Sequence, residues 1–425
     1  MRVVSIDLRD FRGIADLRLT FEKHLTVLVG LNGSGKTSVL DALAIMLSQY
    51  IARLQGSPSA SRRVTAQDIR VGANGTRLEI VVKDEDGTGV HWVLRKQGKV
   101  ERVLRRKSSE FDSLNSYVKK IAARFENENL FYLQATPLIV YYDQKRAAFD
   151  FVRRKRRTIE HLPYAAFDDA LGADSIDFNK LVFWFQERES EELRIKHRKR
   201  NYVDPQLEAV RKAIATTTGL RNPRFKFVAP RGLYFTKQGV ELGVEQLSGG
   251  ERAYIGLVGD LARRLAMLNP KAKNALGRQG IVLIDEMELH LHPRWQREII
   301  PKLLKTFPGC QFVVSTHSPQ VLGQIRAQSI RVLQKKRGTG IAVETPAASF
   351  GRDSNYILVS ILEGTEREKA VKRQLDRIQE HIDNDRIEEA TRLLERLHFD
   401  PDLTSDPELS LARVRLERRK GTRKR

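Results

Sequence analysis

Three short stretches of this 425-residue chain carry side chains whose types and spacing can act on a phosphate. In the first, Gly30, Leu31, Asn32, Gly33, Ser34, Gly35, Lys36 and Thr37 follow the spacing Gly-x4-Gly-Lys-Thr, with Ser38 next. Glycines let backbone N–H groups curl around a phosphate, the lysine ammonium neutralises its oxygens, and the threonine hydroxyl reaches Mg²⁺. In the second, Asp285 and Glu286 stand together directly after the apolar run Ile281, Val282, Leu283 and Ile284. A carboxylate pair at the carboxyl end of a core strand is where an α/β nucleotide enzyme holds its magnesium and its attacking water. In the third, Ser248, Gly249 and Gly250 precede a helical stretch, offering N–H groups, a hydroxyl and a positive dipole end to an anion. Alone, Ser-Gly-Gly is a common turn; between a phosphate loop and a paired-acid strand it is far more specific.

Each stretch needs an element to hold it. Residues 25–29 are continuously apolar and read as a buried strand, and Val39, Leu40, Leu43, Ala44 and Leu47 continue the loop at helical spacing. Alternation over residues 3–8 and 15–21 predicts a small meander ahead of it. Residues 78–82 and 90–94 alternate around Asp86 and Gly87 as a hairpin, followed by a basic helix near 108–126. Leu138, Ile139, Val140, Tyr141 and Tyr142 form another core strand, ending at Asp143 and Gln144. A glutamine just past such a strand is where these folds place a γ-phosphate sensor, and a plain loop fits the same residues equally well. Residues 149–222 turn helix-forming and charged, with Phe178, Leu181, Phe183, Trp184 and Phe185 as apolar anchors, and read as a helical insertion whose aromatic stripe is buried. Ile255, Leu257, Val258, Leu261, Ala262, Leu265 and Leu268 make one face of a helix behind Ser-Gly-Gly. Two helices span residues 367–397, with Asp383, Asn384 and Asp385 at the turn; no strand precedes those acids, so a metal-binding carboxylate site is not indicated. The expected division is 1–148 and 223–350 as two lobes, 149–222 as insertion and 351–425 as helical extension.

Composition narrows the partners. Lys and Arg number 75 against 53 Asp and Glu, a net charge of +22, which favours a polyanion such as nucleic acid. The excess is clustered at residues 104–107, 153–157, 196–200 and 418–425. A hydrophobic content of 41% fits a folded globular chain, and no apolar run approaches the ~20 residues of a membrane helix. Met1 leads straight into an alternating strand, so a cytoplasmic location is expected. The single cysteine, Cys310, sits in an apolar stretch and reads as a core residue.

Leu247, Ser248, Gly249, Gly250 and Glu251, taken with the other two stretches, resemble the signature of ABC-type ATPases. The resemblance implies an α/β fold: an ABC-type P-loop NTPase head with a mixed sheet, a helical insertion subdomain and a C-terminal helical hairpin. It implies ATP and Mg²⁺ as cofactors, with Lys36, Glu286 and His317 in catalysis. Gly30, Asn32, Gly33, Ser34, Gly35, Lys36, Thr37, Ser38 and Gln144 would contact the nucleotide, as would Ser248, Gly249 and Gly250, while Thr37, Asp285 and Gln144 would attend the metal. Residues 287–292 fall at the D-loop, and Ser315, Thr316, His317, Ser318 and Pro319 are similar to the switch-histidine motif. Such signatures close on the ATP of a second subunit, so a homodimer or higher oligomer with sandwiched ATP is implied. Leu289, His290, Leu291, His292 and Pro293 after the paired acids are similar to what RecF-like ATPases carry, which disfavours a histidine metal site. Residues 349–358 and the helices beyond look like the PtuA-type ATPase subunits of Septu and retron-associated anti-phage systems. That likeness implies an HNH endonuclease partner and DNA as target. The alternative is a RecF- or SMC-like repair ATPase that clamps DNA without a dedicated nuclease; a membrane transporter subunit is disfavoured by the insertion and the basic surface.

Overall fold

Strands of period two open the chain: β1 (Arg2–Phe11) and β2 (Ile14–Thr20) turn Val3, Ile6, Leu8, Leu17 and Leu19 inward. β3 (Leu25–Val29) is buried at every residue and delivers the glycine loop to α1 (Lys36–Leu54). After α1 come β4 (Gly75–Lys83), β5 (Gly89–Gln97), α2 (Asp112–Glu126) and β6 (Leu138–Tyr142). The structure is a computed structural model describing residues 1–98, 109–126, 137–144, 163–172, 178–336, 340–362, 364, 369–398 and 406–423. They divide into two units, Met1–Ile357 and Leu358–Arg425.

Residues 149–222 supply α3 (Phe178–Lys196) and α4 (Pro205–Thr218). Phe178, Leu181, Trp184 and Phe185 are buried and Phe183 is 39% exposed, so the aromatic stripe is mostly core. Asp204 caps α4 by accepting from the N–H groups of Gln206 and Leu207, and Gly219 ends it in the left-handed conformation. The antiparallel β7 (Arg221–Lys226), β8 (Gly232–Lys237) and β9 (Val240–Gly243) lead to α5 (Gly249–Leu268). Gly259 of α5 is a packing glycine: a Cβ there would lie 2.7 Å from the Leu181 side chain. β10 (Gly280–Ile284), α6 (Pro293–Thr306), β11 (Cys310–Ser315), α7 (Pro319–Leu322), β12 (Ile330–Lys336), β13 (Gly340–Glu344) and α8 (Ser354–Ser360) follow.

Two sheets enclose α1. One is antiparallel, β2-β1-β4-β5; the other runs β13-β12-β3-β11-β10-β6, parallel except for the edge strand β13. Trp92 of β5, fully buried, donates its indole N–H to the Met46 carbonyl of α1 at 3.1 Å. The head is therefore the α/β ABC-type ATPase fold with a mixed sheet. Cys310 is buried at the start of β11, where desolvation pushes its thiol up to about 12.

The second unit contains α9 (Lys369–Asp383), α10 (Ile387–His398) and α11 (Pro407–Arg423). A hairpin is thus joined by a third helix where the sequence suggested only a basic tail. Asp406 starts it by accepting from the N–H groups of Glu408 and Leu409, and Leu409, Ala412 and Leu416 reach the core formed with Ile378, Ile382, Ile387, Ala390 and Leu394. That apolar stripe is narrow, and the exposed Leu411 and Val414 with the arginines beside them hide its period. Asp385 lies in the α9–α10 turn with φ 59°, consistent with a turn acid. Of the basic clusters, residues 196–200 end α3 and are mostly exposed, whereas 104–107 and 153–157 lie outside the described residues.

Candidate nucleotide site

Strand order decides what meets what. β3, β11, β10 and β6 are successive parallel neighbours, so their carboxyl ends form one row. The row places the glycine loop, then Ser315 to His317, then Asp285 and Glu286, then Gln144. Ligands of open α/β sheets bind at this edge. A cavity of about 430 Å³ lies there, lined among others by Lys36, Thr37, Gln144, Asp285, Glu286 and His317.

The loop is built as a concave backbone. Gly30, Gly33 and Gly35 have φ of 148°, 78° and 103°, values that side chains with a Cβ rarely adopt. A Cβ on Gly30 would also sit 2.4 Å from the Leu333 carbonyl oxygen. Asn32, Gly33, Gly35, Thr37 and Ser38 line the cavity, while Gly30 and Ser34 lie behind it. Ser34 is 4% exposed and its hydroxyl has no hydrogen-bond partner among the described residues. Lys36 is 6% exposed and its ammonium donates to the carbonyls of Gly30 at 2.9 Å and Leu31 at 3.1 Å. Burial lowers its pKa, against the pull of Asp285, Glu286 and Glu288.

The acids are held from both neighbouring strands. The Asp285 N–H donates to the Tyr142 carbonyl at 2.9 Å, and its carboxylate accepts from Thr37 Oγ1 at 2.8 Å and from Ser315 Oγ. Glu286 adopts φ 47° and its N–H donates to Ser315 Oγ at 2.8 Å; a left-handed glutamate costs on the order of 1–3 kcal/mol that the surrounding bonds must offset. Gln144 Nε2 donates to the Glu286 carboxylate at 2.9 Å. The sheet end is further fixed by Tyr142, whose hydroxyl donates to buried Asp260 of α5 at 3.0 Å. Burial pushes that carboxyl up, but Arg264 and Arg263 outweigh it and hold it below its usual range.

His317 is half-buried, and its N–H donates to Glu288 at 2.5 Å. Desolvation first, then Lys36, lowers its imidazole pKa, partly offset by Glu288 and Asp285. The neutral ring is thereby favoured.

Ser248 and Gly249 are exposed, and with Gly250 they lie away from the cavity lining. Ser248 caps α5 in a reciprocal box with Glu251, which also pairs with Lys237 at 2.7 Å. Gly250 packs on the turn after the paired acids: a Cβ there would be 2.4 Å from the His290 carbonyl oxygen. His290 and His292 are exposed, and His292 caps α6 through its ring nitrogen.

Sequence reasoning missed Gly13, Ile14 and Ile341, which also line the cavity. Gly13 and Ile14 follow the β1–β2 turn, where Arg12 has φ 51° and binds Asp41 of α1 and Asp68. A glycine between two predicted strands was the available signal for that turn. Ile341 had none: it reaches the site because β13 folds back beside β12, putting its side chain 2.9 Å from a Cβ at Gly35.

A family model described as "AAA domain, putative AbiEii toxin, Type IV TA system" matches residues 25–323. The retron Ec83 probable ATPase of Escherichia coli is 30% identical over 431 residues, covering 86% of this chain and 77% of that protein. The Septu protein PtuA of Bacillus thuringiensis is 26% identical over 321 residues, covering 73% of this chain and 70% of that one. An SMC head domain from Thermotoga maritima is 16% identical with a TM-score of 0.45, covering 81% of this chain and 99% of that structure. No described helix is long and apolar enough to cross a membrane. With the glycine loop, the paired acids and His317 on one sheet edge, and a family match over most of its length, the chain belongs to the AAA-domain ATPases that include the retron ATPases and have Septu PtuA as a relative.

Proposed function

We propose that this chain is the ATP-binding and ATP-hydrolysing subunit of an anti-phage defence complex, whose nucleotide state regulates a partner HNH nuclease acting on DNA. The observation that carries the reading is the convergence of Lys36, Thr37, Asp285, Glu286 and Gln144 on one cavity, with Ser248 and Gly249 exposed on a separate helix end. The names of the retron and Septu relatives support the defence setting.

Within the site, Lys36 exchanges the loop carbonyls for the β and γ oxygens of ATP. The backbone of Asn32, Gly33 and Gly35, which lines the cavity, fits a phosphate. Thr37 and Asp285 present two hard oxygens 2.8 Å apart and fit Mg²⁺ as its protein partners, with Gln144 beside them. When bound, the ion neutralises charge on the phosphate oxygens. Glu286, steadied by Gln144 and Ser315, orients the attacking water and accepts its proton; the water oxygen bonds to the γ-phosphorus as the bond to the β–γ bridging oxygen breaks. Neutral His317 donates to the γ-phosphate. Ser248, Gly249 and Gly250 of a second copy complete the nucleotide's contacts, giving a dimer with two sandwiched ATP molecules. The +22 net charge suits a nucleic-acid target in the cytoplasm.

The test is a pull-down of the tagged chain expressed with its native gene neighbours, followed by DNA cleavage assays with ATP, with ADP and with neither. Recovery of a stoichiometric HNH protein whose cutting depends on nucleotide supports the reading. Recovery of the ATPase alone, holding DNA ends or gaps, moves the assignment to the RecF- or SMC-like alternative.

A further inference from the structure

The turn after the paired acids carries a third carboxylate that the roles above leave unused. Glu288, half-buried, accepts from Thr316 Oγ1 at 2.8 Å with one oxygen and from the His317 backbone N–H at 2.5 Å with the other. Hydrogen bonds to an ionised acceptor are stronger than neutral ones, and two on one carboxylate fix direction as well as distance. The Thr316 hydroxyl in turn accepts from the Ser318 N–H at 3.0 Å.

More bonds join the same two segments. Met287 N–H donates to the Ser315 carbonyl at 2.9 Å, and the Gln296 side chain bridges the Leu291 carbonyl at 2.8 Å and the Ser318 hydroxyl at 2.6 Å. The turn and the histidine loop are therefore one stitched piece. On its other side, the His290 carbonyl of that turn lies against Gly250 at the start of α5.

We propose that Glu288 is a positioning residue for ATP hydrolysis. It aims His317 at the γ-phosphate and ties the histidine to the turn that touches the start of α5. Closure of a second copy on Ser248 and Gly249 would then move His317 and Glu286 together. Both oxygens of the glutamate accept here. Glutamine at 288 would keep one acceptor for the His317 N–H and could meet the Thr316 hydroxyl only as a donor, which turns the hydroxyl proton away and replaces two bonds to a carboxylate by weaker neutral ones. The inference rests on the ATP-hydrolysis roles given above and extends them to a residue they do not name.

The experiment uses the full chain, with Glu288→Gln, Glu288→Ala and Thr316→Val made alone and in a His317→Ala background. Steady-state ATP hydrolysis is read beside the affinity for a fluorescent ATP analogue. Misaiming a group in a preorganised site costs about 10- to 100-fold in rate, so Glu288→Gln should lower kcat by that factor with affinity changed less than about threefold. Thr316→Val removes one bond and should lower kcat less. In the His317→Ala background neither should lower it further, because the group they aim is gone. Losses that multiply in that background, an unchanged kcat in Glu288→Gln, or affinity falling in step with kcat would each overturn the assignment. Should both Glu288 variants fail to fold, Thr316→Val in the two backgrounds decides by the same criterion. A wild-type chain that does not hydrolyse ATP would strike the functional reading; normal turnover by wild type and variant alike strikes only Glu288.

Discussion

The chain starts two helices on glycines, and it prepares them in opposite ways. At α1 the glycines have positive φ, the cap residue Gly35 carries no side-chain oxygen, and the backbone bends around a cavity holding Lys36. At α5 the cap is Ser248 in extended conformation, and Gly249 and Gly250 show no positive φ. There the side chain of Glu251 already accepts from the Ser248 N–H and hydroxyl, both at 2.9 Å. On the proposed reading the first receives phosphate within its own chain. The second is a satisfied helix start with an acid in its first turn, and on that reading it meets a phosphate only when another surface brings one to it.

The largest effects should come from the α1 side. Lys36→Ala removes the buried ammonium and should abolish nucleotide binding, read as loss of the ATP-induced rise in melting temperature. Glu286→Gln keeps the hydrogen bond from Gln144 but removes the base; kcat should fall about 100-fold or more while ATP affinity persists, and an unchanged turnover would remove Glu286 from that role.

Glycine substitutions at α5 sharpen the contrast. Gly250→Ala forces a Cβ to 2.4 Å from the His290 carbonyl, a backbone atom, and should destabilise the protein by about 1–3 kcal/mol. Gly249 has open space at its Cβ position, so Gly249→Ala should leave stability within about 0.5 kcal/mol. If Gly249 faces a second copy, its alanine variant should nevertheless lose hydrolysis at protein concentrations where wild type is dimeric. Full activity there would mean that α5 is a helix start and nothing more. Ser248→Ala should cost about 1 kcal/mol as a lost cap, measured by denaturant unfolding.

Legibility in the sequence follows the same division. The loop, the acids and His317 could be read because each needs particular residue types at fixed spacing beside an apolar strand, and strand order then places them in one row. Gln144 was ambiguous from residues alone, since a polar residue after a strand is ordinary; what distinguishes it is the bond to Glu286, a contact between residues 142 positions apart. Ile341 was invisible because it enters the cavity through the packing of β13, which no local pattern encodes; Gly13 marked its turn but not that the turn meets the cavity. Helix α11 was missed for a different reason: Leu409, Ala412 and Leu416 join a core that α9 and α10 have already made, but the exposed Leu411 and Val414, set among arginines, blur the helical period.

The smallest predicted effect separates the two helix starts by pH. His317, on the α1 side, has its pKa lowered below the ordinary 6.5, by burial and then by Lys36. Between those two values the unfolded chain binds a proton that the folded one does not, so stability is complete above about 6.5 and declines as pH falls through the folded value. Glu251, on the α5 side, is pushed up by burial, but Lys237 and Ser248 outweigh that and bring it below the ordinary 4.5. Its contribution is present above about 4.5 and is lost as pH falls through its own lower value. Both losses run in the same direction, in different windows. Urea unfolding followed from pH 7.5 to about 3 should show the first decline in wild type and its absence in His317→Gln, while Glu251→Gln should flatten only the lower window. A decline below 6.5 that survives in His317→Gln would assign that titration elsewhere.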